Sequence, residues 1–351
     1  MKDESRIEKK GREKISGFLS SLISVLLSFL VAIIFGGILF KIKGISPVEA
    51  YILMLKGAFG SKYALTETLA KTSPILLCGL AVALPASLKI WNIGAEGQLF
   101  LGAFAASWIA MNSQNSSHLS TLFSMGLLGF AGGAFWAFIP GILRAKLKVN
   151  EIITTLLLNY VGILWVTYLI HGPWRGEDNF PYTQFFPDNA HLPTIGNSRL
   201  HYGLFIGIFI SVLIWLFLRY TRFGFEIKVI GDNWRAADYA GIPTKWYYVI
   251  MMTIGGGIAG LAGMTEVAGI HHRLQAQVST GYGYTAIIVA WLARNHPIVL
   301  PIISFLFGAL LVGGENIQID FNLPVSFIGI FQGIILIAVL IGDFIFLHKK
   351  I

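Results

Sequence analysis

Apolar residues occur along this chain in long blocks, and polar and charged residues gather in the short stretches between them. A bilayer core about 30 Å thick needs roughly 20 apolar residues of helix. On that measure the blocks predict ten membrane-crossing helices, at approximately 18–40, 65–88, 94–111, 119–143, 151–170, 203–219, 247–268, 283–294, 297–313 and 325–347. The first block follows Lys9, Lys10, Arg12 and Lys14, as the core of a signal peptide would, but its 23 residues are too many for one and no small-x-small cleavage site follows. It is expected to stay as a helix, with 1–17 as an N-terminal segment.

The starts of helices 6 to 10 trail those of helices 1 to 5 by 174 to 189 residues. This near-constant offset predicts a duplicated five-helix unit, with halves at about 18–170 and 203–347. An odd number of crossings per half turns the second copy upside down, the inverted repeat that many transporters use. The expected fold is an all-α polytopic membrane protein with one transmembrane domain over 18–350, an outer loop at 171–202 and a cytoplasmic loop at 220–246.

Composition agrees with that reading. Of the 351 residues 55% are apolar and only 13% charged, against about 25% charged in an ordinary soluble domain. The net charge of +8 first suggests nucleic acid, but the basic residues sit at the ends of apolar blocks. With the N-terminus cytoplasmic, the inside segments carry 18 Lys and Arg and the outside segments 7. The excess is therefore an orientation signal that places both termini in the cytoplasm. The single cysteine, Cys78, excludes a disulfide framework and a cysteine metal site.

Soluble-site motifs do not hold up. Gly255-Gly256-Gly257-Ile258-Ala259-Gly260 fits the dinucleotide pattern G-x-G-x-x-G, but it lies inside an apolar helix with no strand before it. Gly256 with Gly260, Ala259 with Gly263 and Gly129 with Gly133 instead read as small-residue pairs that let helices approach closely. Adjacent His271 and His272 point about 100° apart on a helix and cannot chelate as an i, i+4 pair does; an exposed outer loop is the expectation. With no metal site, no P-loop and no hydrolase motif, the chain reads as neither an enzyme nor an ATP binder.

Polar groups within apolar blocks are the informative ones, because an ionisable side chain in a membrane is costly. Trp91-Asn92-Ile93-Gly94-Ala95-Glu96-Gly97-Gln98 opens the third block, and its repeat counterpart opens with Ser279-Thr280-Gly281-Tyr282-Gly283-Tyr284-Thr285. Glycine-broken short segments at matching positions of two halves point to a transport pathway. Asn92, Glu96 and Gln98 are candidate polar contacts, with Tyr282 and Tyr284 as candidate surfaces for a planar base. Trp91, Phe100, Phe104 and Trp108 are further stacking candidates. For Glu96 the simpler role is capping a helix N-terminus, and capping is the favoured role for Glu151 beside Asn150. In the 220–246 loop, Asp232 or Asn233 is placed to cap a short helix over 234–240 that stops at Gly241 before Pro243, with Ala236, Ala237 and Ala240 on one face.

That loop, Gly231-Asp232-Asn233 through Arg235, Ala236-Ala237 to Ala240-Gly241-Ile242, resembles the coupling loop of permease subunits of ATP-binding-cassette importers, in the branch serving ribose-type sugars and nucleosides. Asn92 to Gln98, Asn150-Glu151-Ile152-Ile153-Thr154-Thr155 to Asn159-Tyr160, and Gly281-Tyr282-Gly283-Tyr284 to Arg294-Asn295-His296-Pro297 look like the nucleoside side of that branch. The resemblance covers about 65–345 and implies a non-enzymatic subunit of a bacterial cell-membrane importer. It implies partners: two cytoplasmic ATPases that bind the ATP, a second permease subunit, identical or paralogous, and an extracytoplasmic substrate-binding lipoprotein. No cofactor belongs to the chain itself. The aromatic and proline-rich 171–202 loop is then the landing surface for the binding protein. A ribose-type sugar permease is the alternative, and a secondary transporter carrying protons on Glu96 a more distant one.

Overall fold

The computed structural model describes residues 30–31, 33–324 and 326–348. The expected N-terminal segment 1–17, most of the first apolar block, and Lys349 and Lys350 lie outside the described residues. Those described are helical and connecting chain without a strand; two isolated bridges, Tyr182 with Gln275 and Thr194 with His201, are the β pairing among them. The helices are α1 (Ile33–Ile42), α2 (Pro47–Phe59), α3 (Lys62–Ala86), α4 (Ala95–Met111), α5 (His118–Leu147), α6 (Glu151–His171), α7 (Gly203–Tyr220), α8 (Arg222–Asp232), α9 (Trp234–Tyr239), α10 (Thr244–Glu266), α11 (Tyr282–Leu292), α12 (Leu300–Phe321) and α13 (Ser326–His348).

Six of the described helices are long and apolar enough to cross a membrane: α3, α5, α6, α7, α12, and α10 with the π turn Val267–His271 that extends it. The apolar pattern predicted ten. At a rise of 1.5 Å per residue, the 17 residues of α4 reach about 26 Å and the 11 of α11 only about 16 Å. The pattern also left 41–64 as a loop, where α2 forms behind Pro47 with Glu49 in its first turn and Lys56 in its last. That distribution of charge suits the helix dipole.

The chain divides into two compact units. In the first, formed by described residues up to Gly57 and from Gly313 onward, Phe40, Ala50, Ile317, Leu323, Phe327 and Phe331 make a buried core. Phe40 lies 5.2 Å from Phe327 and 5.5 Å from Phe331 between ring centroids.

The second unit, Ala58–Val312, is built around α10, which packs along α5, α4 and α3. Glycine makes this approach possible. A Cβ on Gly260 would stand 2.1 Å from the Gly129 carbonyl oxygen, and one on Gly133 would stand 2.2 Å from that of Gly256. Those are the small-residue pairs of the sequence in direct backbone contact, so the G-x-G-x-x-G run is a packing surface.

Candidate functional site

The opening of α4 is a knot of amides. Asn92 Oδ1 accepts from the Gly94 N–H at 3.1 Å and from Gln98 Nε2 at 2.8 Å, while Asn92 Nδ2 donates to Gln98 Oε1 at 2.9 Å. The same Nδ2 reaches the Ala81 carbonyl of α3 at 3.3 Å. Both side chains are buried, and their hydrogen-bonding capacity is largely spent on one another. From α6, Asn159 Oδ1 accepts from the Gly97 N–H and its Nδ2 donates to the Ile93 carbonyl, both at 2.8 Å. Asn159 stitches α6 to the start of α4. It was absent from the candidate contacts, although an amide in the middle of an apolar block is the signal that marks it.

Glu96 crosses to the other short helix. Its Oε2 accepts from the Gly283 N–H at 2.7 Å, in the first turn of α11, with the Ser279 hydroxyl and Gly281 N–H as further hydrogen-bond donors to the carboxylate. The carboxylate thus caps the N-terminus of α11 rather than that of α4, occupying N–H groups that have no partner inside the helix. Gly283 permits this, since a Cβ there would stand 2.3 Å from the Glu96 backbone nitrogen. Gly281, at φ +92, supplies the left-handed turn into α11.

The glycine-broken openings of α4 and α11 therefore meet, and Asn92, Glu96, Gln98, Tyr282 and Tyr284 share one joint. Tyr282 is buried, whereas Tyr284 is partly open and hydrogen-bonds Asn159. Trp91 stacks on Trp291 with centroids 4.8 Å apart. Of the other stacking candidates, Phe100 is buried, Phe104 stacks on Trp174 and Trp108 is exposed.

The loop between α7 and α10 folds as two helices. Thr221 caps α8, accepting from the Gly224 N–H at 3.1 Å. The Tyr247 hydroxyl, and after it Arg222, hydrogen-bond Glu226 and hold its carboxyl below the ordinary glutamate range. Asn233 caps α9, with Oδ1 accepting from the N–H groups of Arg235 at 3.1 Å and Ala236 at 3.2 Å; Gly241, at φ +78, ends the turn.

One residue differs from its expected role. Ala237 is fully buried against the protein's own interior, so it cannot belong to a face offered to a partner. Asp232, Asn233, Arg235, Ala236, Ala240 and Gly241 remain exposed. Beside them Trp234 is 52% and Tyr239 95% exposed, two aromatic side chains that the alanine-face argument passed over.

The 171–202 loop is tied to the chain that follows α10. Thr183 N donates to the Leu274 carbonyl at 3.0 Å, Phe186 N to that of His272 at 2.8 Å and Leu192 N to that of Ala268 at 2.8 Å. The His272 ring lies against that of His191, tilted by 35° with centroids 3.9 Å apart, and Gln275 Nε2 meets His271 Nδ1 at 3.0 Å. The histidine pair is half-buried in this seam, not free in an exposed loop. His201 is buried at the loop's end, where burial pushes it down to about 4.

Glu151, the other capping candidate, faces Arg144 at 3.2 Å, while the cap of α6 is Asn150, accepting from the Ile152 N–H at 2.9 Å.

Residues 64–340 match the family described as the branched-chain amino acid transport system / permease component. The chain belongs to this family of transport permeases. It is 37% identical to the glucose ABC transporter permease protein TsgB13 of Haloferax volcanii, over 91% of this chain and 87% of that one. It is 32% identical to the nucleoside ABC transporter permease protein NupB of Lactococcus lactis, over 86% and 85%. Identity to the guanosine ABC transporter permease protein NupP of Bacillus subtilis is 30%, over 92% and 93%.

Proposed function

We propose that this chain is the membrane-spanning subunit of an ABC importer for nucleosides, forming the pathway while partner ATPases supply the work. The observation that carries the reading is the joint of α4 and α11, two short glycine-opened helices held together by Glu96 and Gly283. Broken segments of this kind are where transporters place their substrate pathway. Tyr284 and Trp91, partly open at the joint's edge, offer ring faces to a planar base. Asn92, Glu96, Gln98 and Tyr282 shape the wall behind them. Relatives named for guanosine and nucleoside transport support this substrate class.

In this reading the chain crosses the membrane ten times as an inverted repeat, with both termini cytoplasmic, in keeping with the 18 to 7 distribution of basic residues. The exposed face of α9 and its flanks, from Asp232 to Gly241, docks an ATPase. The 171–202 loop receives a substrate-binding lipoprotein, and a second permease subunit completes the channel. Nucleotide-driven closure of the ATPases then biases the pathway between two states.

A sugar is the second reading, favoured by the 37% identity to a glucose permease. Uptake of radiolabelled guanosine separates the two in cells that lack their own nucleoside uptake and express the chain with its ATPase and binding protein. Excess adenosine is expected to abolish the uptake, and ribose and glucose to leave it unchanged. Absence of guanosine uptake together with accumulation of labelled glucose would transfer the assignment to sugars.

A further inference from the structure

Three of the helices long enough to cross a membrane end around one cavity of about 440 Å³. Its lining includes residues just beyond α3 (Lys89) and the end of α5 (Arg144, Lys148), the first turn of α10 (Lys245), and Asp232 and Asp238 from the α8–α9 segment. Because it lies where spans end, the cavity sits at the level where hydrocarbon gives way to headgroups. The aromatic residues beside that end agree: Trp246 and Tyr220 are both more than half exposed, and Trp and Tyr collect at membrane–water interfaces.

The charges on the wall leave a surplus of one. Four cations, Lys89, Arg144, Lys148 and Lys245, and two carboxylates, Asp232 and Asp238, line the cavity. Arg144 is already engaged by Glu151 at 3.2 Å, so three lysines stand against two carboxylates. Lys89 and Lys148 hold left-handed backbone, at φ 59 and φ 55. Glycine is the relaxed choice for such positions at helix ends, and the chain carries an ammonium at each. Cations near a helix C-terminus complement its dipole, which accounts for these two singly but not for Lys245, at the opposite end of its own helix, in the same wall.

From this convergence we infer that the cavity binds the headgroup of an anionic phospholipid, its singly charged phosphodiester seated among Lys89, Lys148 and Lys245. Basic pockets between the ends of membrane helices hold lipid headgroups in this way. A phosphodiester stays singly charged across the neutral range and matches the surplus charge, whereas a nucleotide brings more charge than the wall can balance and free phosphate is distinguished by the test below. Trp234 and Asp238 belong both to the cavity wall and to the α9 turn, so a seated headgroup also braces that turn from behind.

The test uses the purified full chain without partners, in neutral detergent, with thermal unfolding read against added phosphatidylglycerol, phosphatidylcholine or inorganic phosphate. Phosphatidylglycerol is expected to raise the midpoint saturably, and the other two to leave it unchanged. In the double variant Lys89→Gly with Lys148→Gly, which removes both ammonium groups while relaxing the backbone, at least half of that rise should be lost, with no fall in the lipid-free midpoint. Lys62→Gln, at a residue outside the cavity, should keep the full rise. An equal rise with inorganic phosphate would make this a soluble-anion site, and an equal rise with phosphatidylcholine, or an undiminished one in the double variant, would likewise overturn the inference. Should the double variant fail to fold, Lys245→Gln carries the same expectation and the same contradiction.

Discussion

Glu96 and His201 are both buried polar residues, and their surroundings give them opposite consequences. Glu96 spends a carboxylate oxygen on the Gly283 N–H, so Glu96→Ala strands a buried donor, at a cost of about 1–3 kcal/mol. Glu96→Gln keeps an acceptor oxygen in place. Thermal unfolding should therefore show a clear loss for alanine and less than half of it for glutamine, and equal losses would remove the capping role. His201 accepts the Gly203 N–H on Nδ1 at 3.1 Å, which leaves the proton of the neutral ring on Nε2. Its pKa is pushed from 6.5 down to about 4 by burial, with the nearby charges of His272 and Arg199 acting in the same sense. Between these values the folded chain binds fewer protons than the unfolded one, so the contribution of His201 to stability is full above pH 6.5 and declines as pH falls toward 4. His201→Gln should flatten that part of the unfolding-midpoint profile; an unchanged slope would assign the acid sensitivity to other groups.

At the scale of elements, α9 was the most legible part of the chain, because its stop and start signals are local: an Asn cap, then Gly241 before a proline. Which side of α9 faces inward was not legible, since that depends on how α8 and α10 bracket it. The alanine face suggested Ala237 as a partner contact, and packing buried it. The experiment on coupling therefore moves to Tyr239, 95% exposed. Tyr239→Ala should leave insertion and thermal stability unchanged while lowering copurification of the ATPase and substrate-stimulated ATP hydrolysis by ten-fold or more. Ala237→Arg should instead destabilise the turn itself, because an unpaired charge would enter the interior. Normal coupling in a Tyr239→Ala complex would remove this face from the ATPase contact.

Across the whole molecule, the apolar blocks located most of the long helices to within a few residues, because burial in lipid and burial in protein demand the same composition. The same ambiguity bears on the ten expected spans: α4 and α11 are shorter than the six long helices and largely enclosed by other helices, and hydropathy alone does not distinguish that enclosure from a lipid surface. The α4–α11 joint was half legible. Glycines and a carboxylate marked both openings, but that Glu96 bonds to Gly283, 187 residues away, is a property of the fold. Asn159 carried a signal of its own, an amide inside an apolar block, and only its partners Gly97 and Ile93 are a property of the fold. On the proposed function this chain conducts substrate only when partner ATPases hydrolyse ATP. That dependence is tested most directly by reconstituting the chain with its ATPase and binding protein into proteoliposomes and measuring guanosine accumulation with ATP supplied at the ATPase face. Accumulation against a gradient that requires ATP hydrolysis, and that an imposed proton gradient does not replace, is the predicted result. Accumulation driven by the proton gradient in the absence of ATP would contradict it.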